Sequence, residues 1–528
     1  MECDYSEIPK AMKTAKFFQI LSMYGAMMAL ACGVEMPRQA DTGVAEAGSR
    51  INVKTFGAKG DGKTDDSKAI QAALDSASMG DTVYVPKGTY LVHTIRLVSN
   101  VHLIADGLLK QPKELTGHFA VEKQHSDAPL FRAHRISNVY LSFRAATANE
   151  AIYASQCSNI MVADSYITGD STNNRSYPAV LWYSCTASRV VGTTISHFGS
   201  ARKSPKTYHP GTAVRVLSSQ GITISGNRFH HNGENGIFIH DSGDVEIDGN
   251  HIHHNGMSGI QVAFNTADRV TNYRITNNRL EHNAADAVDI NNRAHGQVVA
   301  INALIAGNYS DSNGFVNGES TPDGSGMGTL IGISGVTLSG NRAFGNNRPA
   351  LYIEGCGDIT ANRNITDGAF ELVGRWENIR MEGNSFGTLR LLANAEGRLL
   401  DIRHSEIGSV MLPNGIQIDS LRLMENEIKS GPVNINMEGH LKFEGNRLNS
   451  GHESGALLLV NVRSASLLGN HILNAKNAAI TVRKTALNVR IDSNFVTSGG
   501  IWIHDFGPPN IKINNNQVEE HAKIDGEQ

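Results

Sequence analysis

One short pattern, apolar-x-apolar-x-x-Asn, constrains this chain more than any other feature. It ends at Asn227 in ITISGN, Asn250 in VEIDGN, Asn278 in YRITNN, Asn341 in VTLSGN, Asn384 in IRMEGN, Asn426 in LRLMEN and Asn446 in LKFEGN, with further copies at Asn470, Asn494 and Asn516. Most steps are about 20 to 24 residues, and the wider ones fit two coils or a coil carrying an insertion, which is the mark of a solenoid. Within each copy the apolar residues alternate, so each is a short strand with one face buried.

A second strand precedes each motif: AIYASQC, AVLWYSC, TAVRVL, GIFIH, GIQVA, AVDIN and ALYIEGC. Cys157, Cys185 and Cys356 fall at one offset in three of them, an independent support for the alignment. Two or three strands per turn with no helical periodicity after about residue 80 give a parallel β-helix, its strands stacked about 4.8 Å apart. The Asn positions should then form an internal ladder, each amide bonding backbone in a turn and its counterpart one coil away. Such a fold suits 528 residues with 53 Gly and few aromatics. A net charge of -4, with Lys and Arg dispersed, gives no case for nucleic acid.

The same alignment accounts for most histidines. His231, His254 and His282 share one offset and should stack in a turn. His230, His253 and Glu281 make a neighbouring outward column; a metal there is the alternative to simple stacking, and no metal is assigned. Cys157 and Cys185 should meet across adjacent coils, stacked or joined as a disulfide.

Residues 1–48 read as a targeting segment and linker. Lys13 and Lys16 precede an apolar run from Phe17 to Ala31 that closes on small residues before Cys32. Secretion or periplasmic export is the expectation, with lipidation of Cys32 the alternative that would tie the chain to a membrane. Residues 49–528 read as a single β-helix domain, with an entry and cap segment over 51–110 and coils over about 128–518.

INVKTFGAKGDGKTDDSKAIQAALDSASMGDTVYVPKGTYLV, Ile51 to Val92, resembles the entry segment of pectate-lyase-superfamily proteins, right-handed parallel β-helices that include polysaccharide lyases, polygalacturonase-like hydrolases, C5-epimerases and phage tailspikes. The resemblance implies an all-β, right-handed solenoid with a short N-terminal capping helix. Local chemistry agrees: Thr64 is placed to cap a helix with Asp65 and Asp66 in its first turn and Ala69, Ile70, Ala73 and Leu74 toward the core. The chain departs from the family's chemistry, lacking an Asp-Pro-His stretch, paired-Asp and Gly-His-Gly signatures, and the strand carboxylates of calcium-dependent lyases. What the resemblance implies about the site is its place, a groove outside the parallel sheet with inserted loops beside it, and an acidic polysaccharide as partner.

Outward positions of the second strand form columns across coils. One runs Tyr153, Leu181, Arg215, Phe238, Gln261, Asp289, Tyr352; the next runs Ser155, Tyr183, Leu217, His240, Ala263, Asn291, Glu354. Arg293 and His295 follow directly. Two insertions should flank the patch as groove walls: Ser196 to Gly211, with Arg202, Lys203, Lys206, Tyr208 and His209, and the Gly-rich, acidic Tyr309 to Gly328, for which mobility is the expectation.

Abstraction of a C5 proton beside a uronate carboxylate needs that charge neutralised, a task for Arg215, Gln261, Asn291 or Arg293. His240 is the expected base, with Tyr208 or His209 as acid and Asp289 in the same patch. Lys206, Arg202 and Tyr183 are the expected substrate contacts. Elimination would make a lyase and reprotonation an epimerase. A hydrolase would instead pair Asp289 with Glu354 or Asp241, and a noncatalytic glycan-binding surface protein is the third reading. No cofactor is assigned, and calcium lacks a carboxylate cluster to hold it.

Overall fold

The computed structural model describes residues 48–112, 125–173, 175–265, 271–292, 296–453, 455–483, 486–503, 510–518 and 524–525. The expected targeting segment with Cys32, and the candidate residues Arg293 and His295, lie outside the described residues. Between Arg50 and Asp525 the strands run parallel and pair with counterparts in neighbouring coils, apart from the antiparallel pair Phe315–Val316 and Glu319–Ser320. The chain winds as a right-handed parallel β-helix.

Each coil of the central region has three strands. A long strand carries the apolar-x-apolar pattern, such as Gly243–Asp248; a short one follows, such as His251–His253; a third, such as Ile260–Phe264, carries the outward columns. These make a long-strand face, a short-strand face and a site face. Inside the long-strand face Ile224, Ile247, Ile275, Ile305, Leu338, Ala361, Met381, Ile402, Leu423 and Phe443 are in register and buried. The β-branched and apolar alternation seen in sequence is this core stack.

The ladder is complete where the sequence pattern was broken. It runs Asn227, Asn250, Asn278, Asn308, Asn341, Asn364 and Asn384, passes through Ser405, and resumes at Asn426, Asn446, Asn470, Asn494 and Asn516. Asn250 shows the economy: its Nδ2 donates to Ile224 O (2.8 Å) and Asn278 Oδ1 (2.9 Å), while its Oδ1 accepts from Asn227 N (3.0 Å) and Nδ2 (2.9 Å). Every polar atom of a buried amide is thus satisfied. The residue before the rung turns the chain with a left-handed backbone, φ 62° at Gly226 and 64° at Gly249, which explains the recurrent Gly-Asn.

A second ladder, Asn232, Asn255, Asn283, Asn313 and Asn346, ends the short strands. His231, His254 and His282 hold its left-handed turn position, with φ of 56°, 55° and 52°; the His231 and His254 rings stack at 5.0 Å, and His282 lies 4.9 Å from His254 with its ring tilted by 40°. The expected turn column is therefore present. The neighbouring column is not an open ligand set: His253 and Glu281 are buried, and Glu281 is taken by Arg279 at 2.6 Å and His251 at 3.0 Å. Among the described residues no group of three His, Cys, Asp or Glu is disposed to hold a metal ion. Cys157, Cys185 and Cys356 are buried free thiols.

The capping helix forms over Ser67–Asp75 and buries Ile70, Ala73 and Leu74. Its cap corrects the expectation. Thr64 lies in the preceding strand, Asp61–Asp65, bonded to Asp61, and Asp66 is the N-cap residue. The Asp66 carboxylate reaches back instead, accepting from Lys59 N at 2.5 Å and Gly60 N at 2.9 Å, so it ties the GDGKTDD loop to the helix start.

Candidate active site

The outward columns assemble as the alternation requires, with one coil more than the motif spacing revealed. Leu181, Arg215, Phe238, Gln261 and Asp289 are successive partners, and Thr329 then intervenes before Tyr352. In the next column Tyr183, Leu217, His240, Ala263 and Asn291 are followed by Ile331 and only then Glu354. The extra strand, Gly328–Ile331, closes the second insertion. It moves Glu354 a coil away from Asp289, and Glu354 accepts from the Tyr352 hydroxyl at 2.8 Å, so the expected Asp289–Glu354 carboxylate pair does not form.

At the N-terminal end of the columns Tyr153, Leu181 and Leu217, packed with Phe238, make an apolar cluster outside the main core. Beyond it lies a hydrogen-bonded row. Asn235 Nδ2 donates to Gln261 Oε1 (3.1 Å), Gln261 Nε2 to Asp289 Oδ2 (2.8 Å), and Asn291 Nδ2 to both Asp289 oxygens (3.0 and 2.9 Å). Burial and the nearby Asp286 push the Asp289 carboxyl up to about 7.

Asp286 was not singled out in sequence. It lies in the turn three residues ahead of Asp289, with Asn235 and Ser258 at the same turn position on the preceding coils. Its Oδ1 accepts from Gly324 N (3.0 Å), Ser325 N (2.6 Å) and Thr329 Oγ1 (3.1 Å), and burial raises its pKa. Asp323 adds to the same negative field. The carboxylates that the sequence spread over a strand and an insertion thus gather at one place. The signal available was the DAVD spacing, two acids bracketing a strand entry.

His240 is partly exposed at 23%, and its Nδ1 lies 3.3 Å from Asp241 Oδ2. Asp241 turns the chain at φ 43° and accepts from Asn265 N at 2.8 Å, so it is fixed from both sides. The Phe238 ring lies nearly parallel to the imidazole, 6.1 Å between centroids. Tyr183, 45% exposed, stands two coils before His240 in the same column.

Two arginines have other work than the sequence suggested. Arg215 is nearly buried and its Nη2 binds Glu234 Oε2 at 2.6 Å, beside Thr212, which donates to the same oxygen. Its charge is already compensated within the protein. Arg202 is 6% exposed, and its guanidinium donates to carbonyls of Ser204, Pro205, Gly256 and Ala284, pinning the first insertion across two coils. Tyr208 covers that guanidinium at 4.1 Å. Lys203, Lys206 and Tyr208 remain exposed and His209 is half-buried.

The insertions do not flank the row. Both leave short strands, Thr194–Ser196 and Tyr309–Asp311, and enter site strands, Val214–Leu217 and Gly328–Ile331, so they share one edge of the site face. Asn317 Nδ2 donates to Lys203 O at 3.1 Å and joins them into one wall. The second insertion, expected to be mobile, forms a hairpin of Phe315–Val316 and Glu319–Ser320 and is anchored by Thr321 Oγ1 on Ala284 O at 2.9 Å.

The candidate site is thus a row of outward polar residues on a right-handed parallel β-helix, walled on one edge. Residues 50–242 match the family described as rhamnogalacturonase A/epimerase, pectate lyase-like. Alginate lyase 7 of Azotobacter vinelandii is 49% identical over 67 residues, 11% of this chain and 8% of that protein. Mannuronan C5-epimerase AlgE2 of the same organism is 46% identical over 67 residues, 11% of this chain and 7% of that protein. The chain thus spans under a tenth of the length of these relatives. Among solved structures, the family 28 exopolygalacturonase of Yersinia enterocolitica aligns over 90% of this chain and 79% of its own, at 12% identity and TM-score 0.37. The A-module of Azotobacter vinelandii mannuronan C-5 epimerase AlgE4 aligns over 90% and 100%, at 16% identity and TM-score 0.33.

Proposed function

We propose that this protein is a secreted enzyme that acts on an acidic polysaccharide by proton transfer at C5 of a uronate, as a lyase or an epimerase. The observation that carries the reading is the pairing of two proton-handling groups on one walled face: the Asp289 carboxyl, pushed up to about 7 within its hydrogen-bonded row, and His240, held through Nδ1 by Asp241. A carboxyl of that kind is largely protonated below neutrality and donates a hydrogen bond to the charge that grows on a substrate carboxylate as the C5 proton leaves. His240, with Nδ1 facing Asp241, offers Nε2 as the base. Asp289 takes over the neutralising task first read into Arg215, whose charge Glu234 already holds.

Gln261 and Asn291 orient Asp289, and Asn291 is half-exposed and free to reach substrate with its oxygen. Lys206 and Lys203 on the wall draw a polyanion toward the row, and the exposed ring of Tyr183 offers a sugar an apolar face. Two of the relatives bear names that refer to alginate and mannuronan, which supports a uronate polymer as the substrate class. Secretion rests on the apolar run from Phe17 to Ala31.

The test is to incubate the protein with alginate, polygalacturonate and other acidic polymers, with and without a chelator, following ultraviolet absorbance from unsaturated uronate and then proton NMR of the recovered polymer. Unsaturated ends would establish a lyase and inverted C5 centres an epimerase. Turnover is expected to survive the chelator and to be lost in His240→Ala and Asp289→Asn. Undiminished turnover in both variants sinks the mechanism. New saturated reducing ends would instead select a hydrolase.

A further inference from the structure

The long-strand face of the last coils carries a feature the candidate site does not use. From Arg380 one outward column runs in register through Asp401, Arg422, Lys442, Ser466, Arg490 and Lys512. Five of these seven positions are cationic. With strands about 4.8 Å apart, the column is about 29 Å long and parallel to the solenoid axis.

Its middle is a shallow, open hollow. Its volume is 590 Å³, its lining includes Ser420, Ser466, Arg398, Arg422 and Lys442, and Asp419 is the lone carboxylate in that lining. The charges differ in how far they are spent. Asp401 is held in a two-bond fork by Arg403, at 2.8 Å for each bond, and stands 3.7 Å from Arg422; Arg490 holds Asp492 at 2.7 Å. Arg380, Lys442 and Lys512 are exposed and have no ion-pair partner among the described residues. Arg422 is paired with Asp401, although its Nε has no hydrogen-bond partner.

We infer that this face is a second binding site, for a linear anionic polysaccharide lying along the axis. Exposed unpaired cations spaced by whole coils meet a flexible polyanion along its length, and the serine hydroxyls both donate to and accept from sugar hydroxyls. A nucleic-acid duplex fits less well. It carries one charge per about 1.7 Å of axis, whereas this column is one residue wide and is interrupted at Asp401 and Ser466. The column lies on another face of the coil from Asp289 and His240 and nearer the C-terminus, so a polymer held here leaves the site row open. The inference shares with the proposed function only the class of polymer.

Native gel electrophoresis of the full chain, in gels cast with alginate, polygalacturonate or uncharged hydroxyethyl cellulose, tests it. The wild type should be retarded by the two polyanions and not by the neutral polymer, and added salt should weaken the effect. Reversing two exposed charges with Lys442→Glu and Lys512→Glu should weaken polyanion affinity by about fivefold or more, with turnover of short oligouronates unchanged. His240→Ala should lose turnover and keep retardation. Retardation of the double variant equal to wild type, retardation in the neutral gel, or duplex DNA bound as tightly as the polyanions would each overturn the assignment. Should His240→Ala keep its turnover while the double variant loses retardation, the catalytic reading fails and this one stands.

Discussion

At the scale of single residues, the chain sets two kinds of titrating group against each other. Asp289 has its pKa raised to about 7 by burial and by Asp286, so between about pH 4 and 7 the folded state holds a proton the unfolded chain has released. Stability from this group is full at the acid end and falls as pH rises through that window. Asp289→Asn removes the dependence, and the melting temperature of the variant should gain on wild type steadily from pH 4 to 7; a constant difference would refute the assignment. His253 behaves in the opposite sense. Burial, helped by His251 and His230, lowers its pKa to about 3, so its contribution is present above pH 6.5 and is lost as the solution is acidified toward that value. His253→Gln should therefore flatten the acid limb of a stability profile between pH 6.5 and 3. The sequence placed His240, Gln261, Asp289 and Asn291 on one patch correctly, because strand alternation fixes which residues share a face. It misjudged Arg215 and Arg202, because a side chain's partner comes from another coil: Glu234 stands one coil from Arg215 and Ala284 is three from Arg202.

Strands and ladders are the scale at which the fold was most legible. The apolar-x-apolar-x-x-Asn frame marks nearly every rung, including Asn308 in ALIAGN and Asn364 in ITANRN, two rungs not singled out from sequence, and at Ser405 a hydroxyl replaces the amide and still accepts from Asn384 N at 3.2 Å. The strand Gly328–Ile331 was hidden for another reason: an insertion that ends in a strand looks like loop in a single sequence. A rung in the middle of the ladder should be costly to remove. Asn278→Ala leaves Ile247 O, Asn250 N and the Asn308 amide short of partners in a dry interior, a loss of about 3 kcal/mol. Chemical denaturation should show it as a lowered midpoint with an unchanged slope.

On the scale of the whole molecule, the solenoid turns sequence position into a ruler, and that is why fold, columns and the C-terminal cation stripe can all be written as counts of coils. Class was readable from end to end; chemistry was not, because the entry segment that carries the family likeness forms a cap, with Asp66 spent on Lys59 and Gly60. The Asn ladder also says how the molecule can be edited. Rungs Asn446 and Asn470 are 24 residues apart, and each bonds to the rungs on either side and to one strand carbonyl of the preceding coil, so the stretch Arg447–Asn470 is a removable module: excising it whole would bring His471 to the place of Arg447 and let Asn446 grip Asn494. That shortened chain should still unfold in one cooperative step, whereas an excision one residue shorter would throw every later side chain out of phase. Length in this architecture is quantised, and the unit is the interval between two asparagines.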